Sequence, residues 1–325
     1  MALGFLAANG IDLNSPEVSC CALDERWHQI RVSLVVRLVA YCWLLFTSLK
    51  CDHRRFDKIY VLNFLPLWNP LFFLLVPKRI LLAPLTGGVN VNRDFLYTKG
   101  LMRVQVALVR NFFIPILNRL SRTIIISRKL NCVGSTPFND KYLRKKNHRH
   151  FYISCGINPE RYVTNTENLS YHIIVYTRHH PLKNNEILML LIEALAKKQF
   201  KIALIDPQSV ISPKFTGVKK FGLLTPAKVL SLICQSRAAL VPSLEEAGLF
   251  AQEAAMMGRS VFCFPETGAS MLPGAIPLCS DKQNIEIASM INTIARNIGR
   301  TPNATVSENM RKAVDDAKKY YTSCL

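Results

Sequence analysis

VPSLEEAGLFAQEAAMMG, residues 241–258, leaves an apolar strand, crosses a loop with two carboxylates and a glycine, and enters a helix that stops at Gly258. Such a loop is a candidate anion site. Gly248 permits close backbone approach, and the open N–H groups of the first helical turn favour a phosphate there. Glu253 lies in that helix and has two oxygens able to accept hydrogen bonds from a ribose diol. Glu245, eight residues earlier, faces whatever lies beyond the phosphate. From spacing alone, the two acids read equally well as residues that favour the positive end of a helix dipole.

On both sides of this stretch, short β-rich runs alternate with helical ones, the pattern of a parallel sheet covered on both faces. Strands are expected at 172–177 (HIIVYT), 201–205 (KIALI), 218–221, 239–241 and 260–264. Helices are expected at 186–198, from Pro226 behind an N-cap at Thr225, at 249–257, and along Ile287, Ile291, Ile294 and Ile298 up to Gly299. This is a doubly wound unit. Arg178 and Lys183 follow its first strand, at the carboxyl edge where open α/β sheets bind ligands. A planar guanidinium and a point-charge ammonium there can neutralise a diphosphate, although a solvated loop is the plainer alternative.

The first half is less regular, with strands expected at Lys58–Leu62, Arg79–Leu82 and Thr123–Ser127 between apolar helix-like stretches. A second Rossmann-like unit is the economical reading. The division falls in NPERYVTNTENLS, which is aperiodic and rich in turn formers, giving domains over 1–163 and 170–325, the latter ending in a helix.

The net charge of +19 arises from 41 Lys and Arg against 22 Asp and Glu, while charged residues make up only 19% of the 325. The typical share is about 25%, so the surplus comes from scarce acids and the expected partners are anions. Half the residues are hydrophobic and the mean hydropathy is +0.16, which excludes a disordered chain. Ten cysteines without a C-x-x-C pair or zinc-ligand spacing are expected to be reduced core residues of a cytoplasmic protein. The first twenty residues lack the basic and long apolar regions of a signal peptide. Val32–Leu49 has the length of a membrane helix but contains Arg37, so it reads as a buried helix or one lying in a bilayer surface. The basic run KYLRKKNHRH, 141–150, reads as a solvated face or a lipid-headgroup contact, and no nucleic-acid module has a signature.

Taken together, residues 170–282 resemble the C-terminal domain of retaining, nucleotide-sugar-dependent glycosyltransferases of the two-domain GT-B type. The group concerned has an E-x(7)-E motif and is similar to glycosyltransferase family 4. Glu245 and Glu253 have that spacing, Gly248 and Leu249 match the Gly-Leu of its E-G-F-G-L segment, and Ala247 stands where Phe is usual. Arg178 and Lys183 match R-x(4)-K, and TPAKVLSLICQSRAALVPS and PETGAS match the flanking segments. The resemblance implies that Arg178 and Lys183 clamp the donor diphosphate, that Glu253 holds the ribose and Glu245 the transferred sugar, and that Ser243, Ala247, Gly248 and Leu249 line the donor site. It implies a metal-independent reaction with no cofactor.

FDKIYVLNFLPLWNPLFFLLVPKRILLAPLTGG is similar to the strand, apolar helix, strand and glycine loop of a subset acting on polysaccharide or lipid-linked acceptors. Thr86, Gly87 and Gly88 are then expected in the cleft between the domains. Many members have a histidine after that strand, whereas APLTGG has none, and the chain starts as though inside the first Rossmann helix, short of a first strand and its glycine loop. Val18–Leu23 is a candidate to replace it. The implied function is transfer of a sugar from a nucleotide-diphosphate sugar to a glycan or lipid-linked acceptor in cell-surface polysaccharide synthesis, of the lipopolysaccharide or capsule type. The protein would be cytoplasmic and docked on the anionic inner face of the membrane. The alternative is a non-catalytic nucleotide-sugar-binding or partner subunit.

Overall fold

The computed structural model describes residues 59–61, 65–66, 69–76, 78, 80–86, 108–134, 162, 169–178, 180–211, 215–244, 248–265, 267–279, 286–299 and 304–323. The readings for Val18–Leu23, Val32–Leu49 and 141–150, and those for Gly87, Gly88, Glu245 and Ala247, lie outside the described residues.

The first sheet is wholly parallel and built around one long strand. Strands β1 (Ile59–Val61) and β2 (Leu65–Pro66) pair successive stretches of β3 (Ile80–Thr86), and β4 (Asn131–Gly134) pairs its other edge. Pro84 sits in β3 between the two stretches and cannot donate to a ladder, and the register with β4 shifts between Leu82 and Leu85. Helix α1 (Pro70–Leu75) starts at Asn69, whose side chain accepts from the Phe72 N–H at 3.3 Å, with proline at the first helical position where no donor is needed. It buries Phe72 and Phe73 against Leu82, Leu85 and Ile125. Helix α2 (Ile114–Arg128) follows a π turn over Val109–Phe113, a widened turn that accommodates the missing N–H of Pro115.

Thr123–Ser127 is not a strand but the last turns of α2. Its β-branched run favours a strand by propensity, yet the helix begins upstream, and Asn118, Ser121 and Ile125 are buried at helical spacing. Thr123 and Ser127 turn their hydroxyls back onto the carbonyls of Arg119 and Ile124, both at 3.1 Å. The strand beside β3 is instead β4, beyond the left-handed Lys129 that ends the helix.

The second sheet has six parallel strands. β5 (Tyr171–Tyr176), β6 (Ile202–Ile205) and β7 (Val218–Phe221) grow outward in one direction, and β8 (Ser236–Val241), β9 (Ser260–Cys263) and β10 (Ala275–Pro277) in the other, so the order is β7-β6-β5-β8-β9-β10. Side chains alternate across β5: Ile173 and Val175 face a core built with α3 (Asn185–Lys197), and Ile174 faces one built with α4 (Pro226–Cys234) and α5 (Leu249–Met256). Helix α6 (Ile287–Asn297) joins the first of these cores and α7 (Ala304–Ser323) the second. The Ser307 hydroxyl of α7 donates to the Met256 carbonyl at 2.6 Å, tying α7 to the end of α5. The doubly wound expectation holds element by element, including the cap at Thr225 and the stop at Gly258, where φ is +70°. Strand β10 was not legible in the sequence.

Asp206 closes β6. It is wholly buried, accepts the N–H groups of Val210 and Ile211 at 3.0 and 2.8 Å, and faces the Lys220 ammonium at 3.2 Å. The thiols of Cys132 and Cys263 are pushed up to about 12 by burial, and the described cysteines 132, 234, 263 and 279 form no disulfide, so they behave as core residues.

Candidate functional site

The strand order reverses between β5 and β8, whose carboxyl ends therefore open a crevice between neighbouring loops. Val175 pairs Leu240, so Arg178 and Ser243 each lie three residues beyond a register pair. The loop after β5 runs through Arg178 into a short 3-10 turn, Pro181–Lys183, and then into α3. The loop after β8 runs through Ser243 and Leu244 towards α5, which starts at Gly248. One backbone hydrogen bond, Leu244 N–H to the Leu182 carbonyl at 2.8 Å, stitches the two loops together.

Lys183 is buried, with its ammonium 5.8 Å from the centre of the Tyr176 ring. Tyr176 in turn stacks on Phe250 in the first turn of α5, with ring centres 5.8 Å apart. The cation, the end of β5 and the start of α5 thus share one aromatic support. Arg178 is exposed, and its loop is held from below: the Asn185 amide donates to the Arg178 carbonyl at 3.0 Å while Thr177 bonds the Asn185 side-chain oxygen. Asn184 takes a left-handed conformation, φ +56°, that lets the 3-10 turn pass directly into α3; asparagine tolerates it better than most residues.

On the other loop, Ser243 is buried and Leu249 is partly exposed. Gly248 has φ −92° and ψ 112°, an extended cap that any residue can adopt, so its value to a site is the absence of a side chain and not its backbone freedom. The Glu253 carboxyl is pushed up to about 7 by burial, against which a hydrogen bond from the Tyr162 hydroxyl acts to lower it. It is therefore shared between its neutral and charged forms near neutral pH. A ligand offering hydroxyl donors would favour the carboxylate. Thr86 ends β3, where it pairs Pro66 at the carboxyl end of the first sheet.

Arg178, Lys183, Ser243, Gly248, Leu249 and Glu253 are thus distributed over the two loops and the helix at the switch point. Three aromatic residues of the site were absent from the sequence reading. Tyr176 and Phe250 are 74 positions apart and meet only through the β5–β8 pairing, and Tyr162 reaches Glu253 from the turn-rich stretch before β5. A tyrosine in an otherwise polar, aperiodic segment was the one available signal for Tyr162.

No family model and no curated protein matches the chain at the level of sequence. Solved structures do match. Sucrose-phosphate synthase from Thermosynechococcus elongatus is 14% identical with a TM-score of 0.59, over 96% of this chain and 86% of that one. HepE from Anabaena, solved in complex with UDP and glucose, is 13% identical with a TM-score of 0.53, over 90% and 82%. OtsA in its apo form is 12% identical with a TM-score of 0.51, over 92% and 80%. At such identities the likeness speaks for architecture, and the architecture is plain: the chain has the α/β fold of the GT-B glycosyltransferases.

Proposed function

We propose that the protein is a retaining, metal-independent glycosyltransferase that moves a sugar from a nucleotide-diphosphate sugar to a glycan or lipid-linked acceptor. Its setting is cell-surface polysaccharide synthesis on the cytoplasmic face of a membrane. The observation that supports the reading best is the stitching of the Arg178–Lys183 loop to the Ser243–Leu244 loop at the switch point, beside the start of α5. In this reading the two cations and the N–H groups of the first turn of α5 together receive the donor, a combination suited to a diphosphate.

In this mechanism the donor diphosphate lies against Arg178 and Lys183, with its ribose on Glu253 and its sugar on Glu245. As the glycosidic bond lengthens, negative charge builds on the leaving diphosphate, and the fixed cations stabilise it more than they stabilise the ground state. The acceptor hydroxyl attacks from the face that the diphosphate leaves, so positioning and electrostatics provide the catalysis without a covalent nucleophile. Burial of Lys183 on the Tyr176 ring limits solvent screening of its charge. The proposed division of labour has residues 170–325 hold the donor and residues 1–163 present the acceptor, with Thr86, Gly87 and Gly88 in the cleft.

A thermal-shift panel of UDP-, GDP-, CMP- and dTDP-sugars tests donor binding, because a ligand at a hundred times its Kd adds about 2.7 kcal/mol. Stabilisation by one class, followed by sugar transfer or slow donor hydrolysis, is the expected result. No shift with any donor would remove the reading. The missing histidine in APLTGG, residues 83–88, favours one second reading, a binding or partner subunit. Donor binding with neither transfer nor hydrolysis would select it.

A further inference from the structure

We propose that the outward sides of α1 and α2, with the π turn that leads α2, form the surface by which the protein docks onto an anionic lipid bilayer. Nine of the twelve large hydrophobic side chains exposed among the described residues lie on α1, on α2 or on Leu108–Phe113, the π turn and its cap that lead α2. Leu71 is 64% exposed and Phe112 58%, and Leu74, Val109, Ile116 and Leu120 are exposed with them. Single exposed hydrophobics need no explanation, but this concentration does. From the π turn into α2, Phe112, Ile116 and Leu120, four residues apart, are exposed, while the polar Asn118 and Ser121 are buried alongside Ile125. The helices are fixed to one another, since the Arg128 guanidinium of α2 donates to the Phe73 carbonyl of α1 at 2.7 Å.

Charge identifies the occupant. From Lys58 to Asn139 the chain has eleven Lys and Arg and a single acid, Asp94, so more than half of the +19 is concentrated there. Arg119 and Arg122 on α2 and Lys78 beyond α1 are exposed beside the apolar side chains. A second copy of the same face would bring like charges together, and a neutral surface would leave them unpaired. Apolar side chains flanked by bases match an acyl boundary beneath anionic headgroups. The inference rests on the membrane-side part of the proposed function and is independent of its donor chemistry.

The full chain should float with vesicles of phosphatidylglycerol and phosphatidylcholine at low salt, and weakly or not at all with phosphatidylcholine alone. Leu71→Ser with Phe112→Ser should cut the partition about tenfold or more, and Arg119→Gln with Arg122→Gln about fivefold per charge at low salt. Circular dichroism should leave both variants unchanged, and their donor-induced thermal shift should match the parent's. Emission from a Phe112→Trp variant should be quenched by brominated acyl chains. Equal binding to both vesicle types, no binding, or flotation without quenching would overturn the proposal. So would a lipid-free dimer that the Ser substitutions dissolve. A chain that fails to float but still binds a nucleotide sugar would remove the docking surface and leave the donor site standing; the opposite pair of results would do the reverse.

Discussion

The backbone N–H of Leu244 donates to the carbonyl of Leu182 at 2.8 Å, joining the loops after β8 and β5, which are more than sixty residues apart in sequence. Neither side chain takes part. The bond sets the separation between the cation-bearing turn and the segment leading to α5, so the geometry of the candidate diphosphate site is a property of the main chain and resists side-chain substitution.

Lys183→Gln should lower transfer about a hundredfold or more, the scale of losing one group that stabilises developing charge. The loss should appear mainly in kcat. Lys183→Arg should restore it only in part, because a larger guanidinium with delocalised charge replaces a compact point charge at a buried position. Steady-state kinetics with far-UV circular dichroism as the folding control decide this, and full activity in the Gln variant would sink the assignment.

Glu253 makes stability depend on pH with a definite sign. Its carboxyl is raised from an ordinary 4.5 to about 7 in the folded chain, so the folded state holds a proton that the unfolded state releases. The contribution is complete below about pH 4.5 and is lost as pH rises to about 7. Glu253→Gln should stabilise the ligand-free protein at pH 8 by roughly 1–3 kcal/mol and flatten that slope. Tyr162→Phe removes the hydrogen bond that lowers the group, so the slope should extend to higher pH. Urea unfolding across pH 4–9 measures both. Donor affinity should run the other way in the parent, rising through about pH 7 as the carboxylate becomes available to hydroxyl donors.

Asp206→Ala should destabilise the second unit by about 3 kcal/mol, since it leaves the Val210 and Ile211 N–H groups without their acceptor and the Lys220 ammonium, still bonded to the Ile211 carbonyl at 2.6 Å, without its counter-charge. Asp206→Asn, which keeps one acceptor, should cost less. Denaturant midpoints at constant slope check the pair.

Arg128→Met should loosen α1 by about 1–2 kcal/mol, because the guanidinium closes the carbonyls of Phe73 and Leu74 at the helix end. Amide exchange should accelerate at Phe72–Val76 and stay unchanged in β5 and β8. Uniform acceleration would contradict so local a role.

The second unit could be read almost in full, since strands buried on both faces give continuous apolar runs and its helices start and stop on Thr225, Pro226, Gly258 and Gly299. β10 escaped because it is three residues long, ends in a proline and gains its identity only by pairing β9. The first unit was harder. TIIIS has strand propensity in isolation, and only the helix entering from Ile114 makes it the end of α2.

Order and periodicity along the chain are local quantities, so the sequence was sufficient for the parallel α/β class, for the bounds of most elements, for the loops that hold Arg178, Lys183 and Ser243 and for the helix that holds Glu253. Contacts between distant segments were not available from it. The stacking of Tyr176 on Phe250, the hydrogen bond from Tyr162 that tunes Glu253, and the outward turn of the apolar side of α2 depend on strand pairing and helix packing. The fold raises a carboxyl's pKa by burying it or leaves a phenylalanine exposed, and a side chain's neighbours in space are not its neighbours in sequence.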